Sequence, residues 1–339
     1  MPLTSDIILD ASKFAPESVT EETINVNNFI ERATSGVPTW QEVGPVRFRE
    51  MRERGETGFA APVYLPAAKD AQIPSRDNGR DIAVRVYSPD NGQASKGLFL
   101  HIHGGGFVMG THQHQDGKLR DYANTFQLTA ISVDYRRTPE DPWPAQIHDC
   151  FDVAEYLVDS GESAFGSKLL FISGESAGGN LSAETAFHLI RSRPNYQIAG
   201  LILLYGWFDV TQNLPMAATF KRPVIANNEK MLGFALAYTP GMTIEERRNP
   251  LVSPIYEDMQ GLARAAPGGK LPPALFLCGT EDPLLDDTLL MSTKWMIAGS
   301  EAIVKIYPGA CHAFTAIPGY TAAEEAWDAT VQFMREKME

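Results

Sequence analysis

The sequence predicts an α/β protein with a mostly parallel central sheet flanked by helices. Short apolar runs recur from about residue 98 onward, and between them apolar residues return at helical spacing. A strand covered on both faces needs apolar side chains on both, so a parallel sheet reads as continuous runs. Strands that alternate with helical stretches then place helices on the faces of the sheet. A third observation bounds the pattern: the first sixty or so residues and the stretch 207–262 both break it.

Residues 1–60 read as short helices and connections that form an accessory layer. Ser18 followed by Glu21 has capping-box spacing, and Ile24, Phe29 and Ile30 would give the following helix an apolar face. Residues 81–87 alternate at Ile82, Val84 and Val86, the pattern of a half-buried strand. Core strands are expected at 98–102, 128–133, 169–172, 201–205, 274–278 and 302–307. Ile147, Cys150, Phe151, Ala154, Leu157 and Val158 recur at helical spacing, and another helix should follow Ser176. Residues 207–262 carry Phe, Met, Trp and Pro without a clean strand and read as an insertion on the rim of the sheet. The expected organisation is an N-terminal segment 1–60, a core 61–206, an insertion 207–262 and the rest of the core at 263–339. There is no internal repeat and no low-complexity segment.

A chain of 339 residues that is 44% hydrophobic and 21% charged is long and apolar enough to bury a substantial core. The net charge of -13 disfavours nucleic acid and anionic membrane surfaces as partners. A small molecule fits better. Cys150, Cys278 and Cys311 are few, odd in number and without C-x-x-C spacing, so all three are expected to be reduced, with no metal site built on them. Residues 1–10 lack the basic and long apolar regions of a signal peptide, and no run approaches the ~20 apolar residues of a membrane span. The expectation is a cytoplasmic protein with no membrane-spanning segment.

Chemistry concentrates in four places. Gly174-Glu175-Ser176-Ala177-Gly178 follows an apolar strand and precedes a helical stretch. A serine at such a turn is held in a strained conformation with its hydroxyl outward, and the flanking glycines avoid collisions. The helix N-terminus behind it favours developing negative charge. A glycine-rich turn with a capping serine is the bland alternative. His103-Gly104-Gly105-Gly106-Phe107 also leaves an apolar strand, and three glycines let bare amides approach a ligand. It reads as an oxyanion loop, with His103 holding the loop; a phosphate cradle would need a G-K-[ST] or G-x-G-x-x-G context that is absent. Downstream, Glu281, Asp282, Asp286 and Asp287 follow one expected strand and His312 follows the next. Asp282 is the acid of choice because Pro283 fixes the turn after it, while Asp286 and Asp287 are expected to cap or begin a helix. The order Ser, acid, His is that of a nucleophile elbow with its partners.

These motifs resemble those of the bacterial hormone-sensitive lipase-like esterases, of the α/β-hydrolase superfamily. The resemblance rests on His103-Gly104-Gly105-Gly106-Phe107, Gly174-Glu175-Ser176-Ala177-Gly178-Gly179, Asp282-Pro283-Leu284 and His312, with 134–140 and Pro144-Ala145 similar to the intervening loop. It reaches from about residue 80 to the C-terminus. It implies an α/β-hydrolase fold with a helical cap, formed by the N-terminal segment and the insertion. It also implies ester hydrolysis by Ser176, His312 and Asp282, oxyanion donors at the amides of Gly105, Gly106 and Ala177, and no cofactor. Glu175 stands where aspartate or threonine is more familiar, and Arg137 with Thr138 replaces an apolar pair. Phe107, Trp207, Phe208 and Phe234 are candidates to line the pocket. A roofed pocket would favour short acyl chains, acetate to hexanoate. The sequence leaves open a non-catalytic receptor on the same fold, an amidase or peptidase, and assembly as a homo-oligomer.

Overall fold

The computed structural model describes residues 8–339, so residues 1–7 of the segment in which no signal peptide is expected lie outside the described residues. Eight strands form one sheet: β1 (Lys69–Pro74), β2 (Asp81–Tyr87), β3 (Leu98–Ile102), β4 (Thr129–Val133), β5 (Leu169–Glu175), β6 (Gly200–Leu204), β7 (Ala274–Glu281) and β8 (Ala302–Cys311). Their spatial order is β1-β2-β4-β3-β5-β6-β7-β8. β2 pairs antiparallel with β1 and β4, and every pair from β4 to β8 is parallel. The twelve helices among the described residues are α1 (Glu21–Thr34), α2 (Trp40–Val43), α3 (Pro45–Glu53), α4 (Asp116–Phe126), α5 (Ala145–Phe165), α6 (Ala177–Ser192), α7 (Pro215–Thr219), α8 (Asn228–Tyr238), α9 (Ile244–Arg247), α10 (Met259–Ala265), α11 (Leu285–Ile297) and α12 (Thr321–Met338).

Helices α4 and α12 cover one face of the sheet, and α5, α6 and α11 the other. With both faces covered, every residue of β3, β4 and β6 is buried, which is why those strands read as mostly apolar runs without alternation. Each large aliphatic side chain so buried contributes roughly 1.5–3 kcal/mol relative to exposure. Residues 207–262 fold as α7 to α10 with connections and contribute no strand. None of the described helices is long and apolar enough to cross a membrane.

The structure departs from the expected elements in three places. Strand β1 is not anticipated from its sequence, because only Ile73 of its six residues is buried at this antiparallel edge. The first long helix is capped by Thr20, whose hydroxyl accepts from the Thr23 amide, while Ser18 sits in a preceding 3-10 turn and donates to the Ala15 carbonyl. Its buried face is Thr23, Asn27 and Ile30, whereas Ile24 and Phe29 are exposed. Finally, β7 and β8 continue past 278 and 307, and their ladder extends to Glu281 opposite Cys311. That extension delivers Asp282 and His312 directly from two neighbouring strand ends.

Candidate active site

Ser176 lies between β5 and α6, at the N-cap position of the helix, with φ 56° and ψ -120°. An L-residue at positive φ is strained, and the strain is held by the packing around it. A Cβ on Gly178 would stand 2.0 Å from the Ile102 carbonyl oxygen, so only glycine lets the elbow lie against β3. Three bonds tie the elbow to the insertion. The Trp207 amide donates to the Ser176 carbonyl (3.1 Å), and Asn180 Nδ2 donates to the carbonyls of Trp207 (2.9 Å) and Val252 (3.0 Å).

The structure brings Ser176, His312 and Asp282 together. Ser176 Oγ lies 2.9 Å from His312 Nε2, and His312 Nδ1 lies 3.0 and 2.9 Å from the two oxygens of Asp282. A carboxylate only accepts, so Nδ1 carries the proton and Nε2 is left to accept from the serine hydroxyl. Asp282 is fully buried, and its Oδ1 also accepts from the Leu284 amide (2.8 Å), which fixes the turn at Pro283. The Tyr205 ring meets the imidazole edge-on at 5.0 Å. Glu281, beside the acid, points away toward Arg222.

The glycine loop faces this group. Among the described residues the amides of Gly105 and Gly106 donate to no backbone carbonyl, and Ala177 opens α6, where first-turn amides have no intrahelical partner. Gly106 has φ 61°, and a Cβ there would meet the Phe234 ring at 2.4 Å. His103 is fully buried, stacks on Tyr135 at 4.2 Å, and its Nδ1 lies 2.8 Å from the Gly104 carbonyl oxygen. Burial pushes its pKa down to about 3, so the ring stays neutral. Arg137 and Thr138 brace the same loop: Arg137 donates to the Gly110 carbonyl and the Thr138 amide to that of Phe107.

Glu175 is more deeply engaged than a motif position suggests. Its Oε1 accepts from the Gly104 amide (3.2 Å), and its Oε2 lies 2.9 Å from His101 Nε2 and 3.0 Å from Lys118 Nζ. Burial would raise its pKa, but the Lys118 ammonium and then His101 outweigh that and hold the carboxyl far below the usual range.

A cavity of about 1280 Å³ opens over Ser176 and His312. Trp40 and Phe59 from the N-terminal segment and Ile225, Met231 and Phe234 from the insertion line it, with Trp40 stacked on Phe234 at 6.0 Å. Of the four aromatic candidates only Phe234 lines the cavity. Phe107, Trp207 and Phe208 are fully buried: Phe107 stacks on Tyr238 at 3.7 Å, Trp207 packs against Phe107, and Phe208 meets Phe276 edge-on. Asp286 and Asp287 stand in the first turn of α11, as expected, but neither caps it, since α11 has no side-chain cap. Asp286 accepts from the Met216 amide, and Asp287 Oδ1 accepts from the Phe208 and Asp209 amides at 2.7 Å each. They fasten the insertion to the core. Lys118 and His101 escape sequence reasoning because no motif or periodicity marks them, and the bonds of Asp287 to the insertion are likewise unmarked.

A family model described as the alpha/beta hydrolase fold matches residues 99–316. The chain belongs to the α/β-hydrolase family. Among relatives of this α/β hydrolase, an esterase of Acinetobacter venetianus is 30% identical over 218 residues, 62% of this chain and 65% of that protein. An arylesterase of Saccharolobus solfataricus is 26% identical, with 80% of this chain and 86% of that protein covered. The solved structure of a hyperthermophilic esterase from Pyrobaculum calidifontis superposes with a TM-score of 0.76 at 26% identity, covering 96% and 97% of the two chains. The cysteines of this α/β hydrolase are free and buried.

Proposed function

We propose that this α/β hydrolase, a carboxylic ester hydrolase, works through Ser176 as nucleophile, His312 as base and Asp282 as the acid that orients the imidazole. The observation that carries the reading is the unbroken line of short contacts from Asp282 through His312 to Ser176 Oγ, beneath two loop amides that have no acceptor among the described residues. Ser176 attacks the ester carbonyl as His312 Nε2 takes its proton. The tetrahedral oxyanion is held by the amides of Gly105, Gly106 and Ala177, each such donor contributing up to ~3 kcal/mol. The imidazolium then protonates the departing alcohol, and water hydrolyses the acyl-enzyme by the same route. All of these groups belong to the chain itself.

The substrates are small-molecule esters of short to medium acyl length, acetate to hexanoate. In support, Phe234 lies directly on Gly106, with Trp40 stacked behind it, which limits the space beside the oxyanion loop. In this scheme the segments 1–60 and 207–262 form the cap, and 61–206 with 263–339 form the catalytic core.

A fluorophosphonate probe should label Ser176 in the parent protein and leave Ser176→Ala unlabelled and inactive. Aryl esters of graded acyl length should turn over fastest at six carbons or fewer. Labelling at another residue with activity retained in Ser176→Ala would overturn the assignment.

A further inference from the structure

A carboxylate next to the nucleophile is, by itself, a liability for this reaction. Glu175 adjoins Ser176 in sequence, and its Oε1 accepts from Gly104, the residue before the two glycines whose amides face the developing oxyanion. An uncompensated negative charge in a partly buried site at such range opposes an oxyanion by on the order of 10- to 100-fold in rate. Yet the hydrogen bond to Gly104 is useful, because it ties the elbow to the loop. The residue is thus both brace and obstacle, unless its charge is cancelled.

Two groups reach the other oxygen of that carboxylate. His101, fully buried on β3, shares its Nδ1 with Ser132 Oγ at 3.1 Å and points Nε2 at Glu175 Oε2. Burial holds its pKa down, so the ring serves as a neutral donor and brings no charge. Lys118, from the first turn of α4, approaches from the cavity wall with Nζ 3.0 Å from the same oxygen. The two side chains are only 27% and 12% exposed, so solvent screens the pair weakly. Lys118 is the one cationic side chain in contact with Glu175 among the described residues.

We propose that Lys118 is a positioning residue of the catalytic reaction: it cancels the charge of Glu175 beside the nucleophile while leaving that carboxylate bonded to the oxyanion loop. The pair therefore acts as a unit. Removing the cation alone leaves a bare carboxylate facing the oxyanion, whereas removing both charges leaves a neutral brace. This accounts for a glutamate at the position before the nucleophile: its longer reach lets one oxygen hold Gly104 while the other meets a lysine from a separate helix. The inference rests on Ser176 being the nucleophile.

The experiment compares Lys118→Met, Lys118→Gln, Lys118→Arg and Lys118→Met combined with Glu175→Gln, using a short aryl ester and fluorophosphonate labelling, with thermal melts to verify folding. Lys118→Met and Lys118→Gln should lower kcat about 10- to 100-fold with KM within about twofold, and slow labelling in proportion. Lys118→Arg should restore most of the rate. The combined variant should regain at least about tenfold over Lys118→Met, because glutamine still accepts from the Gly104 amide without carrying charge. A purely structural ion pair would lower the melting temperature and leave kcat of the folded protein unchanged, which would overturn the proposal, as would a combined variant no faster than the single one. Failure of the parent to label at Ser176 would instead overturn the triad assignment.

Discussion

Asp282 and His312 stand at the ends of neighbouring parallel strands, enclosed and hydrogen-bonded, while Trp40 and Phe234 above them are carried by helices of four and eleven residues from opposite parts of the sequence. The floor of the cavity is placed by main-chain register: once β7 pairs with β8, the acid and the base have little freedom in where they emerge. The roof is placed by side-chain contacts, among them one aromatic stack and a half-exposed cluster in which Arg222 of the insertion meets Glu31 of α1 and Glu281 of β7. In the proposed mechanism chemistry therefore belongs to a part of the molecule that tolerates little change, and selectivity to a part that tolerates much.

Four substitutions test that contrast. The largest effect belongs to the floor: Asp282→Asn should lower kcat by ~10⁴ while the protein stays folded, since the amide favours the wrong imidazole tautomer. Steady-state kinetics beside a thermal melt would measure it, and a near-normal kcat would remove Asp282 from the triad. Next comes the seam between floor and roof. Asp287→Ala strips two buried amides, those of Phe208 and Asp209, of their acceptor, at about 1–3 kcal/mol each. A melting temperature that falls by several degrees is expected; an unchanged one would mean that the insertion is held elsewhere.

The third concerns Glu184 of α6, fully buried under the elbow, with neither carboxyl oxygen bonded to protein among the described residues. Burial, reinforced by Glu257, raises its pKa well above the usual value. A raised carboxyl pKa gives stability that is full below the unfolded pKa of ~4.3 and is lost as pH rises toward the folded value. Glu184→Gln, shaped like the protonated acid, should match the parent at pH 4 and be the more stable of the two at pH 8. Denaturant titrations at the two pH values decide this, and equal gains at both would refute it. The smallest effect belongs to the roof: Arg222→Gln should cost less than ~1 kcal/mol and alter kcat less than threefold, as half-exposed ion pairs contribute little. A tenfold loss of kcat would show that roof and floor are coupled after all.

The same division governs what can be read from the sequence. The apolar runs at 98–102 and 169–172 announce buried strands because both of their faces are covered, and the motifs at their ends follow from backbone needs that only glycine and a strand-to-helix turn satisfy. Edge and roof elements leave fainter marks. Helix α1 buries Thr23 and Asn27, since the first bonds Tyr320 and the second the Gly309 carbonyl, so a search for an apolar face selects Ile24 and Phe29, which are exposed. Trp207 and Phe208 look like pocket residues because they follow a strand end, yet the chain turns them into the core beside Phe107 and Phe276. Lys118 lies in a stretch without motif, and only the fold brings it to Glu175.

The docking of α1 has a consequence for the order in which the molecule is made. Asn27 finds its acceptor at Gly309, a separation of 282 residues, and Thr23 meets Tyr320 across 297. At ~5–20 residues per second a ribosome needs roughly 15–55 s to span the first of these gaps. Through that interval α1 lacks these two partners, and Ser176, although synthesised, lacks His312. Under the proposed mechanism the nascent elbow stays chemically silent until the stretch that carries His312 has been made.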